Sequence, residues 1–329
     1  MNSPKISPRV SIVVLAFNQE SFIEDAIASV LLQDYPNLQV VLSDDGSSDG
    51  TALLMERAAR AYAGPHDVVV NHTPANRGLV QHFYNAFARC DGELIVAAAG
   101  DDISLPHRVS TLVEAWAETD ADALFSDWEV IEADGSPTAD RPPQPLRRAQ
   151  PYFPDLQIVP IMGVSAAYDR RVFENIAEPD FPVWAEDFFF FLMLGFRSGT
   201  VVAVNERLVK YRRHGTALTH RVGGGATLEQ CERTNQKFAH GTADTLAYLE
   251  RSIVTDSGYT PGYGTPARVN LAALYSEIAF ARWQSRWVDA TLAQSLRETL
   301  RHLRPDRARW LLPRIAGLRG LSLLKRLRG

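Results

Sequence analysis

The chain has 329 residues, of which 46% are hydrophobic and 22% charged, a composition typical of a globular protein. That length is enough for one large domain or two smaller ones. The net charge of −5 argues against a molecule built to coat nucleic acid, and no apolar run approaches the roughly 20 residues of a membrane-spanning helix.

The cysteines and the N-terminus bear on the cellular compartment. Cys90 and Cys231 are far apart and belong to no metal-binding motif, so neither a disulfide framework nor a zinc site is predicted. The first ten residues lack the apolar core of a signal peptide. Together these features predict a reducing compartment, and we expect the protein to be cytoplasmic.

The first 130 residues alternate between strand and helix patterns. Residues 10–17 form a short apolar run rich in β-branched side chains, which predicts a strand covered on both faces. Residues 21–33 carry apolar side chains at helical spacing. The same reasoning predicts, in order, a strand at 38–44, a helix capped by Ser48 or Asp49, a strand at 67–72, a helix near 79–89, a strand at 93–99, a helix from Pro106 to about Ala117 and a strand at 122–132. This alternation is typical of an α/β fold with a mostly parallel, Rossmann-like sheet.

The pattern becomes less regular after residue 133. Residues 134–160 are rich in proline and predict a long surface loop. The next predicted elements are, in order, a strand at 163–169, a helix from Arg170 or Arg171, a buried helix with an acidic start within 184–196 and a strand pair or extended segment at 200–214. A helical pattern follows Gly225, so we expect two domains, 1–222 and a helical region at 223–329.

Two pairs of carboxylates follow predicted strands. Asp44 and Asp45 come after the second strand, and Asp101 and Asp102 come after the fourth. Ligands of such sheets bind beyond the carboxyl ends of the strands. Carboxylates gathered there repel one another unless a positive group lies among them, and Mg²⁺ and Mn²⁺ prefer oxygen ligands. The alternative is that Asp101 and Asp102 only cap the helix that follows.

Two further groups of charged residues have both a functional and a structural interpretation. Glu186 and Asp187 begin an apolar helix, where the helix dipole favours acids, but one of them could also act as a general base. His214 follows Arg212 and Arg213 at a predicted strand end. These basic groups are either a solvated strand end or partners of a diphosphate leaving group.

Taken in order, these segments resemble family 2 glycosyltransferases, the inverting enzymes of the GT-A fold that use nucleotide-diphosphate sugars. The resemblance covers roughly residues 9–215. The matching segments are VSIVVLAFNQESFIEDAIASVLLQDYPNLQVVLSDDGSSDGT, NRGLVQHFYNAF, GDDIS, GVSAAYDRRVF, EDFFFFLML and YRRH.

The resemblance implies a role for individual residues. The implied nucleotide-sugar site consists of Ala16, Phe17, Asn18, Glu20, Asp44, Asp45, Arg77 and Asp101. Within it, Asp45 matches the residue that hydrogen-bonds the base, and Asp101 would lie near the ribose or the donor sugar. Asp102 matches the carboxylate that holds Mg²⁺ or Mn²⁺ on the diphosphate, and His214 matches a histidine that reaches the metal or the phosphates. Asp187 matches the base that deprotonates the acceptor hydroxyl.

The chain departs from the family pattern in two places. The metal motif usually reads Asp-any-Asp, whereas its first position is Gly100 here. The Gln-x-x-Arg-Trp motif of processive synthases is absent, which favours a transferase that adds a single sugar. The donor would be a UDP-, dTDP- or GDP-linked sugar and the acceptor a glycan or a lipid-linked glycan. The alternative is a catalytically inactive nucleotide-sugar-binding or interaction module on the same fold.

The C-terminal tail has a composition of its own. Residues 297–329 contain ten basic and two acidic side chains, and leucines recur at near-helical spacing. One interpretation is a helix packed on the body with a solvated basic face. Another is a helix on the inner membrane surface, attracted to anionic lipid, which would make the protein a peripheral membrane protein. A homodimer interface is a third interpretation.

Overall fold

The computed structural model describes part of the chain. The described residues are 7–138, 162–181, 183, 185–197, 199–215, 228–255, 274–275, 278–279 and 281–282. The chain divides into two units, which are Met1–His214 with Thr255–Arg268 and Gly215–Val254 with Val269–Gly329. The predicted domain boundary after residue 222 lies outside the described residues and stays a prediction.

The first unit is built from one sheet and the helices around it. Its strands are β1 (Val10–Ala16), β2 (Leu38–Asp44), β3 (Asp67–His72), β4 (Leu94–Ala99), β5 (Ile103–Ser104), β6 (Ala123–Ile131), β7 (Ala166–Asp169) and β8 (Val201–Arg212). Its helices are α1 (Ile23–Leu31), α2 (Thr51–Ala61), α3 (Leu79–Phe87), α4 (Arg108–Thr119), α5 (Arg170–Asn175) and α6 (Glu186–Phe196). A 3₁₀ turn at Gly163–Ser165 precedes β7. The described part of the second unit is dominated by helix α7 (Leu228–Thr255), whose last residue belongs to the first unit.

The sheet runs in the order β3-β2-β1-β4-β7-β6-β8-β5. Strands β1 to β4 are parallel to one another, and β7 is inserted antiparallel between β4 and β6. Four of the seven pairings within the described residues are parallel, so the predicted α/β fold with a mostly parallel sheet is confirmed. Because β1 and β4 are neighbours in this order, the loops after β2, β1 and β4 lie side by side at one edge.

The core explains why these segments became strands and helices. All seven residues of β2 are buried, as expected for a strand covered on both faces. Helix α1 buries one face, with Ile23, Ile27 and Val30 packed into the same apolar cluster as β1 and β4. Burying each such side chain contributes roughly 1.5–3 kcal/mol. The apolar runs therefore fix which face of each element points inward.

The structure departs from the predicted elements in the second half of the sheet. The chain stays extended through Leu105, because Ile103 and Ser104 pair with β8 and the Leu105 N–H donates to Leu208 O at 2.9 Å. Helix α4 consequently begins at Arg108 and not at Pro106. Residues 201–212, predicted as a strand pair or an extended segment, form the single strand β8 because they pair with both β6 and β5.

Two predicted segments lie outside the described residues. These are most of the proline-rich loop, from residue 139 to 161, and the basic tail at 297–329. Among the helices that the structure does describe, none is long and apolar enough to cross a membrane.

Candidate active site

The loops that follow β1 and β2 are fastened to each other at the carboxyl edge of the sheet. Asn18 has a φ of +53°, and its N–H donates to Ser47 Oγ at 2.8 Å. Asn18 Oδ1 accepts from the N–H of Ser48 at 2.8 Å, and Glu20 Oε2 accepts from the N–H of Gly50 at 3.1 Å. Both side chains lie at the predicted nucleotide edge, where they hold the second loop against the first.

Asp44 and Asp45 are both buried and play different roles in that second loop. Asp44 Oδ2 accepts from the N–H groups of Gly46 and Ser47, while Asp44 Oδ1 is buried without a hydrogen-bond partner among the described residues. Asp45 Oδ1 accepts from the N–H of Arg77 and Oδ2 from the N–H of Gly78, each at 3.0 Å. Asp45 therefore anchors the loop before α3, and a buried acceptor remains on Asp44.

The other predicted nucleotide residues differ in exposure. Ala16 ends β1 and is buried, whereas the Phe17 ring beside it is 45% exposed.

The Arg77 guanidinium forms an ion pair with Glu178 at 3.0 Å. Gln81 on α3 also donates to Phe181 O at 2.6 Å. These contacts tie the loop before α3 to the segment that leads into α6.

A buried polar network lies behind Asp44. Asn71 Nδ2 donates to Ser43 Oγ at 2.8 Å, and Ser43 Oγ lies 2.7 Å from His82 Nε2. Burial lowers the pKa of His82, which favours the neutral imidazole that can accept the Ser43 proton. Ser43 and His82 lie within the segments that resemble the family, but the sequence assigned no role to them or to Asn71, since each comes from a different element.

The residues after β4 form the predicted metal corner. Asp101 Oδ2 lies 2.9 Å from His214 Nε2, and the His214 ring packs on Phe22 with centroids 4.4 Å apart. Asp102 is 5% exposed, and its Oδ1 accepts from the N–H of Arg212 at 2.7 Å. Asp102 Oδ2 is buried and has no hydrogen-bond partner within the described residues. The structure thus brings together Asp101, Asp102 and His214.

The Arg212 side chain is buried beside Asp101. Its Nε donates to Asp101 O at 2.9 Å, and its Nη2 pairs with Asp25 at the start of α1 at 2.8 Å. The guanidinium also lies over the Phe22 ring. The sequence had suggested Arg212 as a partner of a diphosphate; this arginine, 2% exposed, instead supports the metal corner from behind.

A second buried arginine, Arg108, also acts on Asp102 through its charge. It is fully buried, and burial lowers its pKa to about 9 against the opposing effect of Asp102. Burial, followed by the charge of Asp101, raises the pKa of Asp102 well above its ordinary value, while both arginines oppose that rise. Sequence reasoning missed Arg108, although a basic residue in the first turn of a helix runs against the helix dipole and so hints at an acidic partner.

Gly100 has no room for a side chain. A Cβ at this position would lie 2.8 Å from Ala16 Cβ, 2.9 Å from Ile23 Cδ1 and nearer still to the Gln19 amide oxygen. The position where related motifs carry a carboxylate is therefore closed by packing. The acidic corner of this chain consists of Asp101 and Asp102.

Glu186 and Asp187 form a second acidic centre in the first turn of α6. Asp187 Oδ1 accepts from the N–H of Phe188 at 2.7 Å, and Asp187 Oδ2 accepts from the N–H of Gly163 at 3.1 Å. A Cβ at Gly163 would overlap the Glu186 carboxylate. Gly163 therefore fixes both acids, because it donates to one and leaves space for the other.

The surroundings of this pair disfavour two negative charges. Burial, followed by the charge of Asp187, raises the pKa of Glu186 to about 8, and burial also raises the pKa of Asp187. The fully buried Tyr168 hydroxyl, which has no hydrogen-bond partner among the described residues, feels both charges as well. One proton shared between two carboxyls is the arrangement expected of such a pair.

We expect Glu186→Gln to flatten the pH dependence of stability. The pKa of Glu186 rises from 4.5 to about 8 on folding. The stability that Glu186 contributes is therefore fully present below about pH 4.5 and is lost as the pH rises through about 8. Glutamine carries no charge at any pH. In urea unfolding, the free energy of unfolding of the variant relative to that of the wild type should be larger at about pH 9 than at about pH 5.

The exposed Glu174 supplies the control for this experiment. Glu174→Gln should follow the pH profile of the wild type. Parallel profiles of the wild type and the Glu186 variant would show that Glu186 is charged in the folded protein throughout this range.

The two acidic centres belong to the same edge of the sheet. Val96 of β4 pairs with Ala167 of β7, so the turn before β7 lies beside the carboxyl end of β4. Asp187 is bound to that turn through Gly163, and Asp102 follows β4 directly. This edge combines a carboxylate corner with an unfilled acceptor and a separate carboxyl pair able to take up a proton.

Comparison with known proteins agrees with this architecture. The family model for glycosyl transferase family 2 matches residues 11–177. An uncharacterized glycosyltransferase of Nostoc sp. is 26% identical over 276 residues, which cover 80% of this chain and 79% of the relative.

Two solved structures are similar in fold. S. aureus TarS in complex with UDP-GlcNAc has a TM-score of 0.54 at 15% identity, covering 83% of this chain and 79% of that chain. The mannosyltransferase PcManGT from Pyrobaculum calidifontis, in complex with GDP-Man and Mn²⁺, has a TM-score of 0.56 at 19% identity, covering 100% of this chain and 84% of that chain. These likenesses confirm the predicted GT-A fold. Since the family match spans half of its length, this chain belongs to glycosyl transferase family 2.

Proposed function

We propose that this glycosyltransferase moves a sugar from a nucleotide-diphosphate donor to a hydroxyl group of a glycan or lipid-linked acceptor, with inversion at the anomeric carbon. The observation that carries the proposal is the pairing of two acidic centres at one sheet edge. Asp102 keeps a buried acceptor oxygen that has no hydrogen-bond partner in the described part of the chain, and Asp187 is held by the N–H of Gly163. The two solved structures of similar fold contain UDP-GlcNAc and GDP-Man, which supports a nucleotide-sugar donor.

The residues after β4 fit a divalent cation. Oδ2 of Asp102, which no described residue hydrogen-bonds, is an oxygen ligand of the kind that Mg²⁺ and Mn²⁺ prefer. His214 contacts the neighbouring Asp101. No cluster of three or more His, Cys, Asp or Glu side chains within the described residues forms a complete metal cage. The site therefore suits a metal that takes its other ligands from phosphate and water, and such a metal would offset the charge of the leaving diphosphate.

Asp187 is the proposed general base. Its two backbone hydrogen bonds orient the carboxylate at the start of α6. It takes the proton of the acceptor hydroxyl while that oxygen bonds to the anomeric carbon and the bond to the donor phosphate breaks. Attack from the face opposite the nucleoside diphosphate inverts the anomeric centre, and no covalent sugar–enzyme intermediate is required.

The edge beside β1 and β2 is the proposed nucleotide site. Phe17 offers an exposed aromatic face, and Asp44 Oδ1 offers a buried acceptor near Asp45. Asn18 and Glu20 join the loops after β1 and β2, and the N–H of Arg77 joins the loop before α3 to Asp45. The buried Ala16 ends β1 at this edge. Asp101 would face the ribose or the donor sugar.

A thermal-shift screen with Mn²⁺ and UDP-, dTDP- and GDP-linked sugars tests the donor class. At a donor concentration about 100 times Kd, binding should stabilise the protein by roughly 2.7 kcal/mol, so the correct donor should raise Tm above that of its free nucleotide and Mn²⁺ alone. A screen in which no donor changes Tm would refute the donor class. Donor binding with no transfer of the sugar to water or to any supplied glycan hydroxyl would favour an inactive binding module.

The composition of the basic tail supports a proposal for the acceptor and the location. We infer that residues 297–329 attract the protein to the inner face of the cytoplasmic membrane, where lipid-linked acceptors would be met. Flotation of the full chain with anionic vesicles, and its absence with neutral vesicles, is the expected result. Equal recovery with both would leave a packed helix or a homodimer interface as the role of the tail.

A further inference from the structure

Arg108 bridges two segments that carry different parts of the site. It opens helix α4 and is fully buried. Its Nη2 donates to Ala97 O of β4 at 2.6 Å and to Val164 O of the 3₁₀ turn at 2.7 Å. Its Nη1 donates to Ser104 Oγ at 2.9 Å. One planar guanidinium thus holds β4, β5 and the turn before β7.

The position of this guanidinium coincides with the end of a strand ladder. The antiparallel pairing of β4 with β7 ends at Val96 and Ala167. Beyond it, backbone carbonyls of both segments would be buried without a ladder partner. Arg108 Nη2 donates one hydrogen bond to a carbonyl of each segment. These bonds hold the two segments together beyond the last backbone pair of the ladder.

The two bridged segments lead directly to the two acidic centres. Ala97 lies in the strand that ends just before Asp101 and Asp102. Val164 follows Gly163, whose N–H donates to Asp187. The path from Asp102 to Asp187 therefore runs through one side chain and two short stretches of backbone.

We propose that Arg108 is a positioning residue that sets where Asp187 stands relative to Asp102. This inference rests on the proposed function, in which these two carboxylates serve the donor and the acceptor. Lysine would keep the charge but not the planar arrangement of donors that reaches both carbonyls and Ser104.

Arg170 offers a matched control. Its Nε donates to Gly92 O at 2.7 Å and its Nη2 to Cys90 O at 2.6 Å, so it too clasps backbone carbonyls beside β4. Those carbonyls lie at the opposite end of the strand, away from the acidic centres. Arg170→Lys therefore loosens the same kind of contact without touching the site.

The test compares Arg108→Lys, Arg170→Lys, Asp187→Asn and the double variant Arg108→Lys/Asp187→Asn. Nucleoside diphosphate release from UDP-GlcNAc and GDP-mannose with Mn²⁺, with water taking the sugar in place of the acceptor hydroxyl, gives kcat. Calorimetry with the same donors gives Kd. We expect Arg108→Lys to lower kcat about 10- to 100-fold with little change in donor Kd, because small misplacements of a catalytic group have effects of this size. Arg170→Lys should keep kcat within about threefold of the wild type, although its loss of Tm should be similar to that of Arg108→Lys.

The double variant separates positioning from general stability. If Arg108 acts through Asp187, the double variant should be no slower than Asp187→Asn alone, whereas multiplied losses would overturn the inference. Unchanged turnover in Asp187→Asn would instead refute the proposed base.

Hydrogen exchange of the Gly163 amide needs no substrate and keeps the inference testable on its own. Faster exchange in Arg108→Lys than in Arg170→Lys is expected, and equal exchange in the two would overturn the inference. If Arg108→Lys fails to fold, Ser104→Ala, which removes only the Nη1 contact, should show the same acceleration in milder form.

Discussion

Replacing Asp187 by asparagine is expected to slow sugar transfer by about 10²- to 10⁴-fold, the usual contribution of a general base. Asparagine has nearly the same shape and its amide oxygen can still accept from the N–H of Gly163 or Phe188, so the start of α6 should keep its structure. What is lost is the ability to take the proton of the acceptor hydroxyl. Donor Kd should therefore change little while kcat falls.

The measurement is nucleoside diphosphate release under saturating donor, with water taking the sugar in place of the acceptor hydroxyl and with Asp34→Asn as the control. Asp34 is exposed and remote from α6 in sequence, so its variant should keep wild-type kcat. Transfer by Asp187→Asn within about threefold of the wild type would remove Asp187 as the base. Glu186, its half-buried neighbour, would then be the next candidate.

Asp102→Asn is expected to weaken the Mn²⁺-dependent binding of UDP or GDP by at least roughly 10-fold. Removing partners around a metal ligand alone costs about 10- to 100-fold in affinity, and Asp102 carries a buried oxygen without a hydrogen-bond partner among the residues that the structure describes. The amide should still accept from the N–H of Arg212. The loss should therefore appear in the metal-dependent part of binding.

Calorimetry with nucleotide in Mn²⁺ and then in EDTA isolates that part. Asp101→Asn is the informative comparison, because Asp101 Oδ2 is already engaged with His214. We expect the smaller loss there. A larger loss in Asp101→Asn would reassign the metal ligand to Asp101, and equal binding of the Asp102 variant in both buffers would confirm that its metal contribution is gone.

The first half of the sheet was predictable because its signals are local. Strands β2 and β3 coincide with their predicted bounds, since each is an apolar run closed by turn residues or charges. The carboxylates after β2 and β4 were placed at one edge by the rule for parallel sheets. The resemblance added roles that the spacing alone did not assign.

What escaped prediction depends on contacts between distant segments. The two-residue strand β5 exists only because it pairs with β8, about a hundred residues later. The antiparallel insertion of β7 beside β4 likewise has no local signature. Arg212 was predicted as part of a solvated strand end or as a partner of a diphosphate, and Arg108 carried no prediction, whereas the fold buries both near Asp102.

The sequence correctly predicted positive charge beside Asp101 and Asp102, but not which groups supply it. The sequence pointed to a divalent cation alone, whereas the structure supplies two buried guanidiniums around Asp102. Burying charges is costly unless they are paired. The stability of the core therefore depends on the pairing of these two arginines with the acidic edge.

The packing at Gly100 constrains how this site can change over generations. The Gln19 amide can turn away from a side chain placed there, but Ala16 Cβ, 2.8 Å from such a Cβ, cannot. A carboxylate at position 100 therefore requires a compensating change at position 16. Either change made alone passes through a badly packed intermediate, with a clash in one order and a void in the other, so positions 16 and 100 are expected to change together among descendants of this chain.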